Sequence, residues 1–245
     1  MAKAAGKSKR TGKTDRAKRK PFRPLRLLRK WLIRAILAVV LLMLALILIY
    51  SFLNPPITLT MLGEKRRLGE IERQWVPLEE MAPAMARSAV AAEDANFCLH
   101  WGFDVEAIRT AMEGGGNRGA STISQQVVKN VFFWQGRNWL RKALEAATTP
   151  AVEALWSKRR ILEVYLNVAE TGNGIFGVEA AAQHYFGVSA AKLSDRQAAL
   201  IAAALPNPKE RNPAKPSNYL AKRARAITDG AATIRADGRA ACFED

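Results

Sequence analysis

Acidic residues are nearly missing from the start of this chain: the first thirty-four positions hold one, Asp15, against fourteen Lys and Arg. Charge of either sign is then absent from Ala35 to Leu53, a run of nineteen residues. Cysteine is scarce, with only Cys98 and Cys242; one pair so far apart is no disulfide framework, and free thiols are the expectation. No run of β-branched and aromatic residues sustains period-two alternation, which excludes a fold built on long strands. No internal repeat is visible, and no low-complexity stretch follows Lys30, which excludes a solenoid.

The uncharged run is the first positive signal. At about 1.5 Å of rise per residue, nineteen helical residues cover roughly 28 Å, close to the ~30 Å hydrocarbon core of a bilayer. Residues 35–53 are therefore expected to span a membrane, and residues 1–34 to form a basic arm. Lys and Arg stay on the cytoplasmic side of a first span, so the N-terminus is expected inside and everything after Asn54-Pro55-Pro56 outside. A cleaved signal peptide is the rival, but the apolar core is longer than the usual signal core and lacks a small-x-small site at its end. The arm carries net +13 of the formal +16, leaving +3 on residues 35–245. The high charge thus reads as a topology signal, and no nucleic-acid partner is expected. Lys3 to Lys30 has too few apolar residues to offset chain entropy and is expected to be disordered and drawn to anionic headgroups.

The residues beyond the anchor suffice for one domain with a real core. Pro55, Pro56, Pro77 and Pro83 punctuate residues 54–82, read as a juxtamembrane linker or a membrane-apposed lobe. Residues 83–225 form the expected domain and 226–245 a C-terminal tail. Helical spacing dominates from Pro83 onward, as in Met85, Ala89 and Ala92 or Ile161, Tyr165 and Val168. Ser194-Asp195-Arg196-Gln197 is a capping box opening an Ala/Leu-rich helix that Pro206 stops. Gly114-Gly115-Gly116 and Gly172-Asn173-Gly174 read as loops between helices. The fold class is mainly α.

Candidate chemistry starts at Glu93-Asp94 and runs to Asp104. On a helix Glu93, Phe97 and His100 would share a face at i, i+4 and i+7. A carboxylate beside a second acid and an aromatic has a route to the raised pKa that proton transfer near neutral pH needs. In the block Gly119 to Asn130, Ser121 or Thr122 can cap a helix with Ile123, Val127 and Val131 on its apolar side. Gln126, Lys129 and Asn130 then lie opposite. Arg137, Arg141 and Glu145 follow at i, i+4 and i+8, with Lys142 beside them. Such spacing also makes an ordinary surface ion pair. Two arginines and a lysine are, equally, what a departing diphosphate needs.

These blocks, with Lys158-x-x-Ile161-Leu162-Glu163-x-Tyr165-Leu166-Asn167 and Ala198-Ala199-Leu200 through Leu205-Pro206-Asn207-Pro208, resemble the peptidoglycan glycosyltransferases. That family polymerises lipid II into glycan strands. The resemblance covers roughly Pro83 to Pro213 and implies a lysozyme-like fold with a small membrane-facing lobe. It also implies roles: Glu93 as general base, Glu145 as the second carboxylate of the cleft, Lys129 and Arg137 on the donor pyrophosphate, and Arg141 supporting Glu145 or the same phosphate. Ser121 and Gln126 match substrate-contacting positions, while Asp94, Phe97 and His100 shape the same block. Lys142 and Asn130 complete the polar set expected around the substrate. Ser124 stands where the family usually has threonine, a change that keeps the hydroxyl.

The resemblance further implies a bacterial inner-membrane enzyme with an extracytoplasmic domain, working on lipid II and nascent glycan strands, with other cell-wall synthases or division proteins as further partners. Ser189-Ala190-Ala191-Lys192 fits the first motif of a serine transpeptidase, but the other two motifs are missing, so a monofunctional enzyme is expected. A lytic muramidase of related fold and a non-catalytic cell-wall scaffold are the alternatives. No cofactor is expected with certainty; Glu93 and Asp94 are candidates to hold Mg²⁺ near a pyrophosphate, and the metal is left open.

Overall fold

The computed structural model describes residues 24–114, 121–136 and 138–244. It falls into two compact units, residues 1–43 and 44–245. Helix α1 (Pro24–Tyr50) carries a stretch, Leu28–Tyr50, long and apolar enough to cross a bilayer. It differs at both ends from the expectation. It begins inside the supposedly disordered segment, taking in Arg26, Arg29 and Lys30, because proline is tolerated in a first turn and Leu, Arg and Lys are good helix formers. It stops at Tyr50 rather than Leu53: Ser51 Oγ donates to the Leu48 carbonyl at 2.6 Å in a closing turn, just ahead of Pro55-Pro56. The rest of the basic arm, residues 1–23, lies outside the described residues.

In the second unit the segment after the anchor is folded. It contains helix α2 (Leu59–Leu68) and strand β1 (Glu72–Arg73), and Thr58 caps α2 by accepting from the Met61 N–H. Arg73 donates to the Pro55 carbonyl at 2.6 Å. Strand β1 pairs in parallel with a later strand and thereby joins this segment to the body of the domain.

The body is helical: α3 (Pro83–Glu93), α4 (Val105–Glu113), α5 (Ile123–Phe132), α6 (Trp139–Leu155) and α7 (Lys158–Val168) precede strands β2 (Glu170–Gly172) and β3 (Ile175–Phe176). Helices α8 (Val178–Phe186), α9 (Asp195–Ala204) and α10 (Asn218–Ala236) complete it. The expected Ser194 capping box is present at the start of α9. The sheet order is β1-β3-β2, with β2 antiparallel to β3. Residues 172–174, read from sequence as a loop between helices, instead close a hairpin. Asn173-Gly174 supplies the turn, with Gly174 at φ +76, where a side chain is disfavoured.

Helices α3, α9 and α10 pack on one another and α5 packs between α6 and α7. Alanines fill the first seam, since seven consecutive residues of α9 from Ala198 to Ala204 are buried. Met85, Ile161, Leu162 and Tyr165 are almost fully enclosed, each such apolar side chain contributing about 1.5–3 kcal/mol by burial. Helix α10 runs without a break past residue 225, where the sequence suggests the start of a tail.

The end of the chain is then tied to the loop after α3. Cys98 and Cys242 form a disulfide, which corrects the expectation of free thiols. Nothing local in sequence signals a pairing across 144 residues; the fold makes it by returning residues 239–244 to that loop. Phe243 is buried against Phe97, Arg239 donates to the Ala95 carbonyl at 3.2 Å, and Arg87 pairs with Glu244 at 3.2 Å.

Candidate active site

Glu93 is the last residue of α3, and Asp94 ends the helix. Asp94 leaves helical geometry at φ −161, ψ 69, and both its carboxylate oxygens are engaged: Oδ2 accepts from the Ile123 N–H at 2.9 Å and Oδ1 pairs with His100 Nε2 at 2.8 Å. One side chain thus terminates α3, starts α5 and anchors the intervening loop. Glu93, Phe97 and His100 consequently do not share a helical face as expected. Phe97 is 0 % exposed, with Lys158 Nζ 4.5 Å from its ring centroid, and belongs to the core. At Gly102, φ +84, an added Cβ would stand 2.7 Å from Thr149 Cγ2, and the Gly102 carbonyl accepts from Thr122 Oγ1 at 2.7 Å. The loop is therefore pressed onto α5 and α6.

Helix α5 faces Glu93. Thr122 and Gln125 form a reciprocal capping box, settling which of Ser121 and Thr122 is the cap, and Ile123, Val127 and Val131 are buried as expected. Gln126 Nε2 donates to Glu93 Oε2 at 3.0 Å. The Glu93 pKa is raised, chiefly by burial; Gln126, Arg223 and Lys129 oppose that effect and Asp94 adds to it. The neighbouring acid foreseen from sequence is thus the lesser cause. Lys129, partly buried on the same helix, has its pKa lowered, again chiefly by burial, with Glu145 and Glu93 pulling the other way and Arg141 and Lys142 reinforcing the drop. Asn130 is 9 % exposed, and its Oδ1 accepts from Gln135 Nε2 at 3.4 Å.

Helix α6 brings the second carboxylate. Asn138 caps it through the Leu140 N–H, and Glu145, 2 % exposed, is hydrogen-bonded to Arg141 and lies 3.6 Å from Lys142 Nζ. Lys142 also donates to Ser121 Oγ at 3.3 Å. Arg137 lies outside the described residues; of the expected three-residue stripe, Arg141 and Glu145 are described, and both are on α6.

Glu93 lines one of two depressions here, and its hydrogen-bond partner Gln126 lines the other. One, of about 280 Å³, is lined by Glu93, Asn96, Asp104 and Ser121. The other, of about 340 Å³, is lined by Gln126, Lys129, Asn130, Tyr165 and Lys209. Sequence reasoning missed several of these groups. Lys209 bridges Glu64 at 2.8 Å and Glu170 at 3.3 Å, and Arg223 of α10 comes within 3.9 Å of Glu93. It also missed what Ser124 does: its hydroxyl donates to buried Glu153, which takes Lys158 at 2.8 Å on the same oxygen. The residues proposed for Mg²⁺ do not fit a resident cation, because Asp94 has both oxygens committed. Among the described residues no three His, Cys, Asp or Glu side chains cluster in a way that could hold a metal.

The transglycosylase family model matches residues 61–232. The chain belongs to the transglycosylase family. The match starts within α2, so the lobe formed by α2 and β1 falls inside the transglycosylase segment. Proteins named biosynthetic peptidoglycan transglycosylase are similar to this chain over most of its length. One from Jannaschia sp. (strain CCS1) is 57% identical over 99% of both chains. One from Caulobacter vibrioides is 46% identical over 89% of this chain and 96% of its own. A third, from Yersinia pseudotuberculosis, is 48% identical over 79% of this chain and 85% of its own.

Proposed function

We propose that the chain is a peptidoglycan glycosyltransferase that polymerises lipid II into glycan strands, with Glu93 and Glu145 as the two carboxylates of its cleft. The observation that carries the proposal is the largely buried Glu93 carboxylate, held at 3.0 Å by Gln126 of α5, the helix that also bears Lys129. Glu93, a carboxylate whose pKa burial raises above its ordinary value, accepts the proton of the acceptor 4-hydroxyl as that oxygen attacks the anomeric carbon of the donor. The new bond is C1–O4. The bond broken is from C1 to the pyrophosphate oxygen, whose electron pair leaves with the lipid pyrophosphate.

Lys129 and Arg141, with Lys142 at the rim, supply positive charge where that leaving group develops negative charge, and Arg137 would extend the clamp. A clamped pyrophosphate needs no protonation to depart, unlike the leaving oxygen in glycoside hydrolysis. Glu145 is enclosed by its cations, so it works by fixing their position. Asp94 and His100 hold the loop, Gln126 orients Glu93, and Ser121 and Asn130 offer polar contacts to the substrate in the two depressions. Phe97 supports the loop from within the core. No step is assigned to a divalent cation.

Helix α1 anchors the enzyme beside a substrate whose isoprenoid tail is confined to the bilayer, which raises effective concentration. The basic residues before it favour an N-terminus in the cytoplasm and a domain outside the inner membrane, as Lys and Arg are retained on the cytoplasmic side of a first span. Other cell-wall synthases or division proteins are the partner class within reach there. Labelled lipid II incubated with the full chain in detergent tests the proposal: glycan polymer is expected. Shortening of added glycan would indicate a muramidase instead, and lipid II left intact would indicate a scaffold.

A further inference from the structure

Arg223 reaches Glu93 from α10, outside the sequence blocks that carry the resemblance. Its terminal nitrogen donates to the Ala92 carbonyl at 3.4 Å, one residue before Glu93, and stands 3.9 Å from Glu93 Oε1. Its Nε is buried without a partner. The side chain thus accepts an unmet polar group in order to lie beside the end of α3, an arrangement costly for packing alone. The guanidinium is 30% exposed and Glu93 13%, so the pair is partly desolvated and weakly screened.

We propose that Arg223 is a positioning residue for the transfer reaction: it fixes the Glu93 carboxylate through the last turn of α3 and keeps it ionised for proton acceptance. The inference rests on Glu93 being the base.

The other groups around Glu93 are accounted for. Asp94 adjoins it and opposes ionisation, Lys129 of α5 favours it, and Gln126 of α5 donates to it. Tyr165 of α7 is fully buried, with a pKa pushed well up by that burial, and carries no charge near neutral pH. Helix α9, packed on α3, buries only alanine, leucine and isoleucine. Lys129 is also subject to the charge of Glu145. Arg223 is therefore the cation whose terminal nitrogen and polar contacts are directed at Glu93 and the turn that holds it.

The test uses the full chain, with Arg223→Gln removing charge while keeping a donor, and Arg223→Lys keeping charge. Arg223→Met serves as a second uncharged variant if the glutamine variant does not fold. The Glu93 carboxyl ¹³C signal, identified by its loss in Glu93→Gln, is titrated alongside the pH profile of lipid II polymerisation. An opposite charge within about 4 Å at a partly exposed site is expected to hold a carboxyl down by about one pH unit. The uncharged variants should accordingly titrate about one pH unit higher, with the acid limb of the rate profile following and lysine returning both towards the parent. An unchanged Glu93 titration in a folded uncharged variant overturns the inference. A titration that moves while the polymerisation limb stays in place supports the charge coupling and instead removes Glu93 as the base.

Discussion

Replacing Glu93 with glutamine separates base catalysis from packing more cleanly than any other substitution at this site. The amide is nearly isosteric with the carboxylate and can still meet Gln126, 3.0 Å away, but it takes no proton at neutral pH. Loss of a positioned general base costs about 10²- to 10⁴-fold in rate, or about 3–5 kcal/mol in the barrier. Stability should move the other way. The folded-state pKa of Glu93 is raised by burial, so the native state binds the proton more tightly than the unfolded chain. This group's contribution to stability is therefore fully present below the unfolded pKa, and declines as pH rises through the window up to the folded pKa. Glu93→Gln removes that penalty and should leave Tm at pH 7 equal to or above the parent's, the difference shrinking as pH falls towards 4. Polymerisation of labelled lipid II and thermal unfolding in the same detergent give both readouts. A folded variant within about tenfold of parent activity refutes the base assignment, and a lower Tm with normal turnover per folded molecule makes Glu93 a structural residue.

Lys129→Ala should lower polymerisation by about 2–4 kcal/mol of transition-state stabilisation with folding intact, and an unaffected rate would return Lys129 to the status of a solvated helix face. The pH profile of the parent should be bell-shaped: its acid limb lies above the ordinary carboxylate range because burial raises Glu93, and its alkaline limb lies below the ordinary lysine range because burial lowers Lys129. A flat profile through both regions would contradict these assignments. Reduction of the Cys98–Cys242 bond, or Cys242→Ser, should cost about 2–5 kcal/mol because the bond closes a long loop; urea unfolding with and without reductant measures it, and equal midpoints would show the bond to be dispensable. A reporter fused after residue 245 should be active only outside the cytoplasm, and activity of a cytoplasm-only reporter there would reverse the proposed topology.

The sequence by itself determined what depends on spacing along one chain. The uncharged run places a helix able to cross a bilayer, Ser121 or Thr122 and the Ser194 to Gln197 box announce helix starts, and Arg141 with Glu145 at i, i+4 announces a pair that the structure contains. In each case the interacting groups sit within one or two helical turns, so local geometry alone brings them together. Tertiary structure decided what depends on the chain returning to itself. Asp94 breaks the helix because its carboxylate finds the Ile123 N–H and His100, a competition invisible in the i, i+4, i+7 pattern that joined Glu93, Phe97 and His100. Phe97 passed to the core because Phe243 comes back to meet it, and the same return brings together two cysteines that looked solitary. Arg223 reads as one more cation on a basic helix. Only the packing of α10 on α3 sets it beside a buried carboxylate, where the low local dielectric lets a single charge matter.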